Sequence, residues 1–171
     1  MAYRVGLRED IIVTRQMLLA AGFALAATSL QADVIAPGDV TANEYGEIAQ
    51  SLTGQPGNAE RGQDILADRG LGNCLACHQV SALADQPWHG EVGPSLDGVG
   101  ARWDEAGLRG LLVNADVIFP DSIMPSFYKV SGFTRPGDAF TSRPAPDPLP
   151  PLLAAQDIED VVAFLMTLTE Y

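Results

Sequence analysis

The sequence is poor in basic residues and in strand-like patterns. Only ten lysines and arginines stand against 22 acidic residues, so the net charge of the 171 residues is −12. An acidic surface repels phosphate backbones, which argues against a nucleic-acid-binding function. No stretch alternates between apolar and polar residues with a period of two, and no internal repeat is present, so neither a sheet nor a repeat array is predicted.

Long apolar runs are also lacking. The run over 17–27 (MLLAAGFALAA) has fewer than the roughly 20 apolar residues that a membrane-spanning helix needs. Arginines precede it and small residues follow, which is typical of a secretory signal peptide over 1–32 with cleavage after Ala32. We therefore expect an exported protein with no membrane attachment after cleavage. An uncleaved membrane anchor is the alternative.

The remainder of the chain is rich in glycine (17) and proline (12), so short elements are expected. An irregular leader is predicted over 33–44. A helix is predicted over 45–52, because Tyr45, Ile48 and Leu52 would share one helical face.

Three further helices are predicted from caps and apolar stripes. Asn58 is placed to cap the first, and Asp104 to cap a second over EAGLRGLLVNA. The segment AAQDIEDVVAFLMTLTE near the end of the chain has the strongest helical stripe. Six of the 12 prolines fall in 133–151, which should form an extended, exposed loop. The predicted fold class is all-α, with three or four helices.

Cysteine is scarce, and the two cysteines stand beside one of the two histidines in GNCLACHQV, as Cys74, Cys77 and His78. A disulfide across two intervening residues would remove little chain entropy and stabilise little. C-x-x-C-H is the attachment signature of c-type haem. Two thiols add to the two vinyl groups of one porphyrin, and the adjacent imidazole binds the iron. One covalent haem c is therefore predicted, with His78 as an iron ligand.

Two other interpretations of these residues are open. A zinc site would have to combine Cys74, Cys77, His78 and His89, although adjacent cysteine and histidine rarely reach one tetrahedral metal. A thioredoxin-like redox pair would need a βαβ setting, which the sequence does not indicate.

The second iron ligand can come from His89, Met124 or Met166 in the mature chain. Met124 is predicted, because a thioether favours the reduced iron expected of an electron acceptor. Pro125 stiffens its loop. Met166 lies in the last predicted helix and is more simply a core residue.

Two further residues are predicted to support the haem. The Pro94 carbonyl is a candidate acceptor for the second ring nitrogen of His78. Arg102 or Trp103 is placed to donate to a haem propionate, the alternative for Arg102 being a solvated surface charge.

The phrases NCLACH, GPSLDGVGAR and MPSF, followed by an amphipathic C-terminal helix, resemble the class I monohaem cytochromes c. Gly62 and Phe164 match the small-residue and aromatic pair at which the two terminal helices of that family cross. The resemblance implies a class I cytochrome c-like fold over 45–171.

Longer phrases, HGEVGPSLDGVGARWDEAGLR, IMPSFY and QDIEDVVAFLMTL, are similar to the SoxX family, the monohaem cytochrome subunits of the bacterial sulfur-oxidising (Sox) system. The resemblance implies a periplasmic heterodimer with SoxA, a dihaem or monohaem cytochrome. That complex oxidatively joins thiosulfate to a cysteine of the SoxYZ carrier, as an L-cysteine S-thiosulfotransferase. In the family, the sulfur chemistry occurs at a SoxA haem. The SoxX haem, held here by the matching Cys74, Cys77, His78 and Met124, takes up electrons for a downstream small cytochrome c.

The residues themselves agree with this division of labour. Haem attachment consumes both cysteines, so no thiol remains for nucleophilic catalysis, and no catalytic residue is predicted. Coordination by His78 and Met124 would complete the six positions of the iron and leave none for a substrate. This chain should therefore transfer electrons and leave bond making to a partner. The alternative function is a free periplasmic electron shuttle. An obligate subunit would differ from it by a larger apolar surface.

Overall fold

Four helices carry most of the regular structure in the computed structural model, which describes residues 33–138 and 142–170. They are α1 (Ala59–Ala67), α2 (Val99–Arg102), α3 (Glu105–Ile118) and α4 (Ala155–Thr167). Two strands of two residues each, β1 (Gly137–Asp138) and β2 (Arg143–Pro144), pair antiparallel within the predicted proline-rich loop. The predicted all-α class is confirmed. The predicted signal peptide, 1–32, lies outside the described residues.

α1 and α3 begin at the two side chains that were predicted to cap them. The Asn58 side chain accepts from the Arg61 N–H at 3.0 Å, and that of Asp104 accepts from the Gly107 N–H at 2.8 Å. These bonds satisfy main-chain donors that the first turn of a helix leaves without partners. α3 bends at Asn114, whose backbone is not helical.

The predicted helix over 45–52 is wrong, because this segment has no helical residues. Its main-chain donors bond to other parts of the chain instead of to each other. The Ile48 N–H donates to the Ala106 carbonyl at 3.0 Å, and the Leu52 N–H donates to a carboxylate oxygen of Glu159 at 2.7 Å. Long-range partners have therefore replaced the local hydrogen bonds of a helix.

A buried ion pair explains why this segment lies where it does. The Arg109 guanidinium of α3 donates two bonds of 2.9 Å to the Glu159 carboxylate of α4, and a third of 2.7 Å to the Ile48 carbonyl. Both charged side chains are buried. The pair satisfies its own donors and acceptors while tying the irregular segment to two helices.

The leader over 33–44 has one 3-10 turn, Pro37–Asp39, and its main chain is hydrogen-bonded to the rest of the protein at Ile35. The Ile35 N–H donates to the Leu52 carbonyl at 2.8 Å, and the Tyr128 hydroxyl donates to the Ile35 carbonyl at 2.8 Å. The predicted limits of the leader and of the cytochrome domain stay predictions.

The hydrophobic core lies between α1, α3 and α4, and includes Ile65, Leu66, Leu108, Leu112, Ile158, Val161 and Leu165. α4 packs against each of the other three helices. Among the described residues, no helix has the length and apolar character needed to cross a membrane.

Candidate haem-binding site

One cavity of about 970 Å³ brings together all six residues that were predicted to hold a haem. They are Cys74, Cys77, His78, Pro94, Arg102 and Met124. α3 and α4 contribute part of its apolar walls, through residues such as Leu108, Leu112, Val161 and Leu165. Such a volume lies at the upper end of the roughly 300–1,000 Å³ that is typical of cofactor sites, and apolar walls with few polar groups are also typical.

A single tight turn presents the C-x-x-C-H residues to this cavity. Asn73 has a φ of +50°, and the 3-10 turn Cys74–Ala76 follows directly. The N–H groups of Cys77 and His78 both donate to the Cys74 carbonyl, at 3.1 and 2.9 Å. Because the turn is so short, two sulfur atoms and one imidazole line the same cavity.

The Cys74 thiol is held in its neutral form. Burial is the largest cause and raises its pKa to about 12, and the neighbouring Cys77 adds to the shift. A reactive cysteine has a lowered pKa, because the thiolate is the nucleophile. The environment of Cys74 therefore does not resemble that of a redox-active thiol.

The His78 ring is oriented by a main-chain carbonyl. Its Nδ1 lies 2.7 Å from the Pro94 oxygen. A carbonyl can only accept, so Nδ1 carries the proton and Nε2 keeps its lone pair for a metal. Gly93 is also needed here, because a Cβ atom at this position would overlap the His78 ring. Sequence analysis missed Gly93, although a glycine directly before the predicted acceptor Pro94 indicates a close approach of the backbone to the His78 ring.

Of the three candidate second ligands, Met124 alone lines the cavity. His89 is engaged elsewhere: its Nδ1 accepts from the Val80 N–H at 3.2 Å, and its Nε2 lies 3.1 Å from the Leu83 carbonyl oxygen. Met166 packs against the hydrophobic core. The same contacts of His89 leave the zinc alternative one ligand short. In the described part of the chain, no group of three or more His, Cys, Asp or Glu side chains is arranged to hold a metal ion.

Arg102 lines the cavity and also bonds to main-chain atoms. Its guanidinium donates to the Asp97 carbonyl at 2.8 Å and to the Ser95 carbonyl at 3.2 Å. The predicted contact with a haem propionate stays a prediction. The bonds to Ser95 and Asp97, which sequence analysis did not anticipate, hold the segment that follows Pro94.

Comparison with known families agrees with this geometry. The family model named Cytochrome c matches residues 59–169, from α1 through the C-x-x-C-H turn to the end of α4. The chain belongs to the cytochrome c family. Membership implies a covalently bound haem c, and the two thiols, the imidazole and the thioether on one apolar cavity are the groups that such a haem needs.

The cytochrome is also similar to a chain in the crystal structure of SoxXA from P. pantotrophus. The TM-score is 0.77 and the sequence identity is 52%, with 81% of this cytochrome and 100% of that chain covered. A search of curated proteins gave no match. The predicted resemblance to the SoxX family is confirmed, and the chain is a Sox-type cytochrome subunit.

Proposed function

We propose that this cytochrome is the electron-accepting, monohaem subunit of a periplasmic SoxAX complex, which oxidatively conjugates thiosulfate to a cysteine of the SoxYZ carrier. One observation carries the proposal: the cytochrome is 52% identical to a chain of a SoxXA crystal structure and covers that whole chain. The proposed partner is SoxA, and the proposed downstream acceptor is a small cytochrome c.

The chemistry of the conjugation requires an electron sink. When one thiosulfate joins one cysteine thiol, a sulfur–sulfur bond forms, the thiol loses its proton, and two electrons must leave. A haem iron accepts one electron at a time, so the haem of this chain would take up the two electrons in turn and pass each to the downstream small cytochrome c. The residues of this chain would hold such a one-electron acceptor, and haem attachment would consume its two cysteines, so no thiol nucleophile would remain.

Four side chains carry the proposed role. Cys74 and Cys77 would hold the haem through thioether bonds, and His78 and Met124 would bind its iron. The Pro94 carbonyl keeps the His78 proton on Nδ1, so the other ring nitrogen is available to the metal. Binding of the iron by both His78 and Met124 would leave no iron position for a substrate, so bond making is assigned to SoxA.

Apolar side chains surround the cavity and extend to the protein surface. Four large ones line the cavity and are also exposed, namely Val92 (66% exposed), Phe119 (52%), Ile123 (81%) and Leu152 (62%). The haem would cover part of this apolar surface, and SoxA would cover part of the remainder. The choice of an obligate subunit over a free shuttle rests on the 52% identity to a chain of a SoxXA crystal structure.

The test is reconstitution in a host that matures c-type cytochromes. The cytochrome should acquire one haem, which stays bound on a denaturing gel, and should co-purify with SoxA. Its haem absorbance should become that of the reduced form only when SoxA, SoxYZ and thiosulfate are all present. Omission of SoxYZ, or blocking of its cysteine, is the control. Reduction by thiosulfate without SoxA, or failure to co-purify, would contradict the proposal and favour a free shuttle.

A further inference from the structure

Two segments of the haem site run side by side in the same direction. The first, 75–81, contains the iron-ligand histidine, and the second, 90–97, contains its hydrogen-bond acceptor Pro94. Main-chain bonds join them at regular intervals: Gly90 N–H to Leu75 O at 2.7 Å, Gly93 N–H to Cys77 O at 2.8 Å, and Leu96 N–H to Gln79 O at 2.9 Å.

The contact between His78 and Pro94 lies between two of these bonds. Gly93 is bonded directly before Pro94, and Leu96 is bonded two residues after it. The position of the Pro94 oxygen relative to the His78 ring therefore depends on how firmly the second segment is held against the first.

At the C-terminal ends of the two segments, a side chain makes the hydrogen bonds that join them. The Asp97 carboxylate accepts from the Ser81 N–H at 2.8 Å and from the Ser81 hydroxyl at 2.7 Å, one bond to each oxygen. Bonds to an ionised acceptor are roughly twice as strong as those between neutral groups. The two Ser81 donors are the main reason that the pKa of Asp97 is lowered.

The same end is held from its other side by α2. Arg102 donates to the carbonyls of Ser95 and Asp97, and Gly98, with a φ of +67°, turns the chain into α2 directly after Asp97. The three residues after Pro94 are thus anchored to Ser81 on one side and to α2 on the other.

We propose that Asp97 is a positioning residue for the iron ligand: by bonding to Ser81 it keeps the Pro94 carbonyl on His78 Nδ1, and so lowers the reduction potential of the haem. This inference rests on the proposed haem function. Donation from Nδ1 to a carbonyl makes the imidazole a more basic ligand, which favours the oxidised iron. A loosened second segment weakens that bond, which favours the reduced iron and lets the Nδ1 proton exchange faster with solvent.

The test uses the haem-loaded protein with Asp97→Asn, Ser81→Ala and the double variant. At a fixed ambient potential, we expect Asp97→Asn, which removes the ionised acceptor of both bonds, to lower the ratio of oxidised to reduced haem about threefold. Ser81→Ala removes the hydroxyl bond and keeps the Ser81 N–H bond, so it should lower the ratio by a smaller factor. A threefold lower ratio corresponds to a reduction potential that is about 28 mV higher, since a tenfold change for one electron is about 59 mV. The His78 Nδ1 proton, observed by NMR, should exchange at least about tenfold faster. The double variant should resemble Asp97→Asn, because the Ser81 hydroxyl acts through the Asp97 carboxylate.

Two comparisons separate positioning from the loss of a negative charge. Asp85→Asn removes one exposed carboxylate from the loop between the two segments, and Asp85 makes no bond to Ser81. It should leave Nδ1 exchange unchanged. Ser81→Ala removes the hydroxyl with no change of charge, and Ser81→Thr should restore the ratio and the exchange rate.

Normal ratios and normal Nδ1 exchange in Asp97→Asn and Ser81→Ala would overturn the inference. A shift in Asp97→Asn that Asp85→Asn reproduces and Ser81→Ala lacks would overturn it as well, because charge alone would then explain it. An unaltered protein that matures without covalent haem would instead overturn the proposed function.

Discussion

Gly62 of α1 lies directly against the main-chain carbonyl of Asp160 in α4, with no room for a Cβ atom between them. The Asn58 N–H also donates to the Asp160 carboxylate at 2.8 Å, which joins the start of α1 to the same residue. This close crossing supports the apolar wall that α4 contributes to the cavity. It is also where the resemblance to cytochromes c placed a small residue.

Gly62→Ala should destabilise the fold, because the added methyl group would overlap the Asp160 carbonyl. Overpacking of this kind costs about 1–3 kcal/mol. The same exchange in an open helix interior would stabilise by about 0.5–1 kcal/mol, so the sign of the effect is diagnostic. Gly38→Ala is the control, since a Cβ there meets nothing within 4 Å. Urea unfolding of the haem-loaded variants measures both changes. A free energy of unfolding of Gly62→Ala equal to that of the unaltered protein would contradict the close contact between α1 and α4.

Cys74→Ala and Cys77→Ala should each leave the haem with one thioether bond, and the double variant should leave it with none. The reason is that the two thiols of the C-x-x-C-H turn are the only cysteines in the sequence. Intact mass and haem staining on a denaturing gel are the measurements. Covalent haem that persists in the double variant would refute the attachment site.

Met124→Leu should abolish the sulfur-to-iron charge-transfer band at the red end of the oxidised spectrum. Leucine conserves volume but offers no sulfur. Met166→Leu is the matched control, because Met166 packs against the core, whereas Met124 lines the cavity. Loss of the band in Met166→Leu, with retention in Met124→Leu, would reverse the ligand assignment.

Arg109→Met should cost about 3–5 kcal/mol of unfolding free energy, because it leaves the Glu159 carboxylate buried without its cation. The double variant Arg109→Met with Glu159→Leu should cost less than the sum of the single changes. It still leaves the Leu52 N–H without its acceptor, so stability will not return fully. A double-mutant cycle in urea measures the coupling, and strict additivity would show that the pair does not act as a unit.

Acid should remove a contribution of Asp97 to stability. Its pKa is lowered in the folded protein, mainly by the Ser81 hydroxyl and N–H. The stability it contributes is therefore fully present above the unfolded value of about 3.9 and is lost as the pH falls through the lower folded value. Between about pH 5 and 2, Asp97→Asn should show a shallower loss of unfolding free energy than the unaltered protein and the Asp85→Asn control. Parallel curves of unfolding free energy against pH for Asp97→Asn and the unaltered protein would contradict this contribution of Asp97.

The sequence by itself determined the features that depend on neighbours within one helical turn. The C-x-x-C-H spacing indicated haem attachment, and Asn58 and Asp104 marked the starts of α1 and α3. The stripe of apolar residues predicted α4. Each is a local pattern, because a cap bonds within three residues and a stripe repeats every turn.

The tertiary structure decided what depends on residues far apart in the chain. The apolar spacing of 45–52 indicated a helix, but Leu52 bonds to Glu159, 107 residues away. Likewise, the sequence offered three candidate second ligands and favoured Met124, and the structure places Met124 on the cavity. The other two candidates lie elsewhere, since Met166 packs against the core and His89 bonds to Val80 and Leu83. The bond between Asp97 and Ser81 joins the side chains of residues that are 16 apart, and neither residue type predicts it. Such contacts exist only once the chain has folded, because they depend on the path of the backbone and not on the order of the residues.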